Sequence, residues 1–252
     1  MEQEKAGSRR IFLSVAYDGT NYHGWQLQPG AVTIESELNR ALTELLGEEI
    51  RVIGASRTDT GVHALCNAAV FDTVSRIPAE KFVYALNQRL PEDIRIQDSK
   101  EVAPDFHPRH TPSRKTYEYR IYNARFPMPT KRLYSFFTYA MLDAEAMARA
   151  GALLEGEHDF KSFCSVNTQA ETTVRTIYRV EVRRESDDII IRITGSGFLY
   201  NMVRIIAGTL LEVGQGKRRP EDITSILAAC DRGAAGPTAP ACGLTLTAYE
   251  FL

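Results

Sequence analysis

The 252-residue chain has no C-x-x-C pair among its four cysteines, no apolar run near the roughly 20 residues a bilayer-spanning helix needs, and no excess of positive charge. Each absence closes a route. The spacing of Cys66, Cys164, Cys230 and Cys242 suits neither a zinc site nor a disulfide framework, and no signal-peptide pattern precedes them, so they read as reduced thiols of a cytoplasmic protein. The polar start Glu2 to Arg10 reads as a frayed tail. A formal net charge of −2 gives no bulk attraction to nucleic acid, so any RNA partner has to meet a local basic surface. The segment Asp105 to Arg132 is the candidate, with a net charge of +5. What remains, 44% hydrophobic and 25% charged residues, is the composition of a soluble globular protein with a full core.

Nucleotide and metal motifs are also missing. Gly195-Ser196-Gly197 follows a predicted strand and leads into a predicted helix, but Tyr200 stands where a dinucleotide fingerprint needs its third glycine, and the flanking strands are predicted antiparallel. Gly214-Gln215-Gly216-Lys217 lacks the spacing and the Ser or Thr of a phosphate loop and reads as a basic turn. In His107-Pro108-Arg109-His110 the proline forbids a regular helix, and no neighbouring carboxylate or cysteine completes a metal set. No metal or cofactor is expected. His63 and His158 are expected to serve as hydrogen-bonded structural residues.

Hydrophobic periodicity supplies the architecture. A strand at Ile11–Tyr17 is followed by a helix at Thr33–Leu46, with Ile34, Leu38, Leu42 and Leu45 on one face and Gly47 as its stop. Strands at Ile50–Ser56 and Asn67–Thr73, a helix opening near Pro78 and ending before Pro91, and a strand at Ile94–Val102 complete a β-α-β-β-α-β, ferredoxin-like order. The second half partly repeats it: a strand at Lys115–Asn123, a helix at Asp143–Leu154, strands at Val174–Arg184 and Ile189–Thr194, helices at Phe198–Val213 and Pro220–Cys230, and a strand at Leu244–Phe251. We expect residues 8–104 and 144–252 to form two related α+β halves, joined by a connecting strand and basic loop at 105–143.

One segment concentrates chemistry. In Gly54-Ala55-Ser56-Arg57-Thr58-Asp59-Thr60-Gly61-Val62-His63-Ala64-Leu65 a single carboxylate lies between a β-run and a glycine turn, beside an arginine. Asp59 is thus expected at a strand-to-loop exit, a place from which side chains reach clefts. The structural alternative is an Asx-type turn in which Asp59 bonds its own backbone and Arg57 is a solvated charge.

Taken with Tyr17-Asp18-Gly19-Thr20-Asn21-Tyr22-His23-Gly24-Trp25-Gln26 and Phe198-Leu199-Tyr200-Asn201-Met202-Val203-Arg204, the Arg57–Ala64 segment resembles the tRNA pseudouridine synthase A family. Ala85-Leu86-Asn87, Phe106-His107, Lys115-Thr116-Tyr117-Glu118-Tyr119, His158-Asp159-Phe160, Val174-Arg175-Thr176-Ile177 and Gly243-Leu244 extend the resemblance nearly end to end. The chain departs from the family pattern at Glu35 and Asn67, where glutamine is commoner, and at Pro108, where alanine is. The resemblance implies an α+β pseudouridine synthase fold, with two ferredoxin-like halves, a central, mostly antiparallel sheet flanked by helices, and an active-site cleft between the halves. It implies an isomerase that converts uridine to pseudouridine at positions 38, 39 and 40 of the tRNA anticodon stem-loop, without cofactor, as a homodimer with one tRNA spanning both subunits.

By the same carry-over Asp59 is the catalytic carboxylate and Arg204 the cation that keeps it ionised. Tyr117 stacks on the extruded uracil and serves proton removal from C5, Leu244 packs against the base, and Arg57 reaches into the space the nucleotide leaves. Two rivals stand beside this reading. A non-catalytic RNA-binding protein of ferredoxin-like architecture would use the same basic surface, and a carboxylate-based nucleoside hydrolase would need a second placed acid that the motif does not offer.

Overall fold

The computed structural model describes residues 7–166 and 170–252, which form two compact units: the chain up to Pro112 with Phe251–Leu252, and Ser113–Glu250. In the first unit, β1 (Arg9–Tyr17), α1 (Ile34–Leu46), β2 (Ile53–Gly54), β3 (His63–Thr73), α2 (Phe82–Asn87) and β4 (Ile94–Val102) follow the expected order. The strands lie in the sequence β4-β1-β3-β2, every neighbour antiparallel, which is the ferredoxin-like arrangement. Alternation along β1 puts Ile11, Leu13 and Val15 on the buried face, and α1 covers it with Ile34, Leu38, Ala41 and Leu42. Helix α1 begins where a reciprocal cap forms, Thr33 Oγ1 accepting from Ser36 N–H (3.1 Å) and Ser36 Oγ from Thr33 N–H (2.9 Å). It ends, as its sequence requires, at Gly47 in the left-handed region.

The second unit holds β5 (Ser113–Asn123), β6 (Phe136–Thr138), α3 (Ala144–Ala152), β7 (Gly156–Asp159), β8 (Val174–Glu185), β9 (Asp188–Gly195), α4 (Met202–Gly214), α5 (Asp222–Ala229) and β10 (Leu244–Phe251). Its sheet runs β10-β5-β9-β8-β7, so that β10, β5, β9 and β8 repeat the order of the first unit. The β5–β9 and β8–β9 pairs are antiparallel, as expected around Gly195, and short β6 adds a parallel pairing to β5. Helix α4 is buried on nearly every side, which its run of Ile205, Ile206, Leu210 and Leu211 allows. The four cysteines are free thiols, and among the described residues no helix is long and apolar enough to cross a membrane.

Several boundaries differ from those the sequence suggests. The strand expected over Ile50–Ser56 is reduced to Ile53–Gly54, because α1 takes its first donors: Ile50 N–H bonds Thr43 Oγ1 (3.2 Å) and Val52 N–H bonds Asn39 Oδ1 (2.8 Å). The helix near Pro78 opens as a 3₁₀ turn at Ala79–Lys81 and stops at Asn87, whose side chain bonds both the N–H (2.8 Å) and the C=O (2.9 Å) of Ile96. Helix α4 starts at Met202 rather than Phe198, since Asn201 takes φ +60° and interrupts the helical backbone. Of the expected tail, Arg9 and Arg10 belong to β1, Arg10 forking onto Asp72 at 2.7 Å; residues 2–6 lie outside the described residues.

Replacing Thr33, which is fully buried, should show what the cap contributes. Thr33→Ala leaves the Ser36 N–H without its acceptor and should lower stability by about 1 kcal/mol, read as a reduced urea midpoint. An unchanged midpoint would contradict this role.

Candidate active site

After β2, Ala55 N–H still bonds Ala68 O (2.8 Å); the chain then leaves the sheet and returns to it at His63. Asp59 lies within this excursion, and the backbone around it is held from several sides. Asn67, fully buried on β3, accepts from Ser56 N–H (3.2 Å) and donates to Ser56 O (2.9 Å) and to the Tyr17 hydroxyl (3.3 Å). Tyr17 in turn shares a 2.7 Å hydrogen bond with Thr58 Oγ1, while Trp25 N–H donates to Thr58 O (3.0 Å). Gly61 adopts φ +78° and donates to Tyr22 O (3.3 Å), and Val62 N–H closes a turn onto Asp59 O (3.1 Å). Segment 17–25 therefore cradles the loop, so the two motifs that are 40 residues apart in sequence form one structure. Contact is close enough to require glycine at Gly24: it has φ +82°, and a Cβ there would stand 2.6 Å from Thr58 O and 3.1 Å from the Asp59 carbonyl carbon.

The side chains that bond Ser56 and Thr58, those of Asn67 and Tyr17, are uncharged. Burial pushes the Tyr17 phenol well above its ordinary range, with hydrogen bonds to Thr58 and Asn67 acting against the shift, so it stays neutral across physiological pH. His63, as expected, is a buried structural residue whose Nδ1 accepts from Gly19 N–H (3.0 Å).

Positive charge gathers at the loop's edge. Arg109 donates from Nε to Gly54 O (2.7 Å), at the point where β2 gives way to the Asp59 loop. Its guanidinium is held below the usual arginine range by burial and by the charge of Arg57, with Glu35 opposing, which places the two arginines in one local field. Beside them His107 and His110 stack with centroids 3.9 Å apart and 15° between planes. Burial, then His110, Arg109 and Arg10, push His107 below the ordinary histidine value, so it is neutral at pH 7. Concentrated like charge of this kind is favourable only against an anion. The basic run 105–132 does not act as one block: Arg109 belongs to the first unit, while in the second Lys131 pairs with Asp188 (2.5 Å), Arg120 approaches Glu118 (3.6 Å), and Arg114 lies over the ring of Tyr178.

The other expected site residues are in the second unit. Tyr117 lies on β5 opposite Ile193, buried, with its ring edge-on to Phe198 at 5.2 Å. Tyr119, two residues along the same face, is a core tyrosine as expected; it donates to Pro240 O (2.9 Å), and burial pushes its hydroxyl far up. Leu244 is buried at the first position of β10. Arg204, on the first turn of α4, is not a solvated helix-surface residue: Nε donates to Ala239 O (2.8 Å), Nη1 to Asn201 Oδ1 (2.8 Å), and its backbone C=O accepts from Ala239 N–H (3.1 Å). Asp59 and Arg57 thus share one unit, and Tyr117, Arg204 and Leu244 the other.

Sequence reasoning assigned no role to Tyr17, Asn67 or Asn201. The first two brace the Asp59 loop and the third holds Arg204. The available signal was their place inside the quoted motifs or, for Asn67, a departure from the family pattern at a strand position. Among the described residues no three His, Cys, Asp or Glu side chains are grouped as metal ligands.

Comparison with known proteins gives the family. A family model described as tRNA pseudouridine synthase matches residues 13–110 and 150–251. The chain is 48% identical over 238 residues to tRNA pseudouridine synthase A of Thermoanaerobacter sp. (strain X514), covering 94% of this chain and 98% of that protein. It is 50% identical over 243 residues to the protein of the same name from Acetivibrio thermocellus, covering 96% of this chain and all of that one. Brevibacillus brevis supplies a further relative of that name, 47% identical over 238 residues, with 94% and 98% covered. With a family model over most of its length and relatives about 48–50% identical over nearly all of it, the chain belongs to the tRNA pseudouridine synthase family.

Proposed function

We propose that this tRNA-modifying isomerase converts uridine to pseudouridine at positions 38, 39 and 40 of the anticodon stem-loop, with Asp59 as its catalytic carboxylate. The observation that carries the reading is the rigid, neutral frame around the Asp59 loop, with Arg57 and Arg109 concentrating positive charge at its edge. A reacting group needs a fixed position, and a polyanion needs a cationic approach to it.

The reaction breaks the N1–C1′ glycosidic bond, rejoins C1′ to C5 of the same uracil, removes the proton from C5 and returns one to N1. Atoms and electrons balance without oxidant or reductant. Asp59 acts as an anion, either as a nucleophile or by stabilising positive character as the glycosidic bond breaks. Arg204 is the cation that favours that ionised form and orients it. A paired base cannot reach a carboxylate, so the nucleotide leaves the stack at a cost of a few kcal/mol. Arg57 enters the space it vacates and contacts the backbone. Tyr117 stacks on the uracil and assists loss of the C5 proton, while Leu244 packs on the base and excludes water. The enzyme acts as a homodimer with one tRNA spanning both subunits.

Purified protein incubated with unmodified tRNA transcripts should yield pseudouridine at positions 38 to 40. Pseudouridine confined to another stem would overturn the substrate assignment. Asp59→Asn should abolish the product while tRNA affinity stays within about threefold, because phosphate contacts dominate binding. Product formation by that variant would remove Asp59 from the mechanism, and absence of turnover by the natural chain would favour a pure binding protein.

Arg57→Ala should reduce the slope of log affinity against log salt by about one, the signature of a lost phosphate contact, and should also slow turnover at saturating tRNA. An unchanged slope with an unchanged rate would exclude Arg57 from the RNA interface.

A further inference from the structure

Asn201 precedes α4 and takes φ +60°, ψ +6°, a left-handed conformation that asparagine tolerates better than most residues. An asparagine at this place ordinarily sits extended and turns its side chain onto the free N–H groups of the first helical turn. Here it makes no such cap. Its Oδ1 instead accepts from Arg204 Nη1 at 2.8 Å, and its Nδ2 donates to Ser165 Oγ at 2.8 Å. A guanidinium only donates, so the carbonyl oxygen of the amide must face Arg204, and this in turn fixes which end reaches Ser165. With Nε bound to Ala239 O, the arginine is gripped at two of its nitrogens, which sets the plane and direction of the whole group.

We propose that Asn201 is a positioning residue for the isomerisation: its amide, braced by Ser165, holds Arg204 in the orientation from which the guanidinium acts on the catalytic carboxylate. This rests on the reading of Asp59 and Arg204 given above. The backbone alone does not explain the residue. If Asn201 served only to interrupt the chain before α4, glycine, which enters the left-handed region freely, would replace it without loss. The side chain is what connects the segment around Ser165 to the arginine. Two groups near Arg204, the Tyr119 phenol and the Cys242 thiol, do not compete for its charge at neutral pH, since burial pushes both upward and keeps them uncharged.

The test compares Asn201→Gly, Asn201→Asp and Arg204→Ala in single-turnover assays on tRNA transcripts, with tRNA affinity and thermal unfolding measured in parallel. Asn201→Gly should slow the single-turnover rate by about 10- to 100-fold, the scale expected for a displaced reacting partner, while affinity stays within about threefold and the melting temperature within a few degrees. Asn201→Asp keeps the shape but sets a carboxylate on Arg204; by screening that charge from Asp59 it should move the acid limb of the pH–rate profile up by about one unit. A rate for Asn201→Gly within twofold of the natural protein, or an acid limb unmoved in Asn201→Asp, would overturn the proposal. The two readings separate through Arg204→Ala. If that variant is inactive while Asn201→Gly is not, only the positioning role fails; if Arg204→Ala is fully active, the assignment of Arg204 itself fails.

Discussion

The holding of Ser56 and Thr58, on either side of Arg57 and just before Asp59, by neutral hydrogen bonds from Tyr17 on β1, Trp25 and Asn67 on β3 is the constraint on which this structure depends. A carboxylate on a free loop would sample many positions, and a misplacement of about 1 Å is enough to lose roughly two orders of magnitude in rate. Asn67 bonds both the N–H and the C=O of Ser56, Tyr17 and Trp25 fix Thr58, and Gly24 lets segment 17–25 lie against the Asp59 backbone. None of these groups is charged, so they fix the geometry of the loop without adding a formal charge to it.

Charge is supplied separately and from the edges. Arg109 is tied to Gly54 O at the start of the loop, and Arg57 stands close enough to perturb it. Such an arrangement costs free energy in the unliganded protein, through desolvation and like-charge repulsion, and an incoming phosphate relieves that cost. The chain as a whole is acidic, so any attraction for RNA has to be local, and on the proposed reading it acts at this edge. In the second unit the same division appears: the backbone of residue 239 and the amide of Asn201 hold Arg204 with neutral groups, leaving its charge uncancelled by those contacts.

Much of the fold was legible because it is written in local patterns. Alternation in β1 and β5, the i, i+4 spacing in α1 and its Gly47 stop, and the repeated strand–helix order gave two ferredoxin-like units, and both units have that strand order. The boundaries that shifted did so through tertiary effects. Strand β2 is short because Thr43 and Asn39 on a helix claim its backbone donors, and α4 begins late because the side chain of Asn201 is committed to Ser165 and Arg204. Strands β6 and β7, of three and four residues, carry too little periodicity to register. Within the candidate site, Asp59 stood out as a lone acid beside a glycine turn, whereas Asn67 looked like any polar residue on a strand until the fold brought it against Ser56.

The most direct test of the central claim removes the frame and leaves the acid. The double variant Tyr17→Phe with Asn67→Ala deletes the side-chain bonds to Ser56 and Thr58, leaving only the Trp25 N–H bond to Thr58 O, and touches neither Asp59 nor an arginine. With folding confirmed by circular dichroism, the single-turnover rate of pseudouridine formation should fall by about tenfold or more while tRNA affinity stays within about threefold. A folded double variant that turns over at the natural rate would contradict the account.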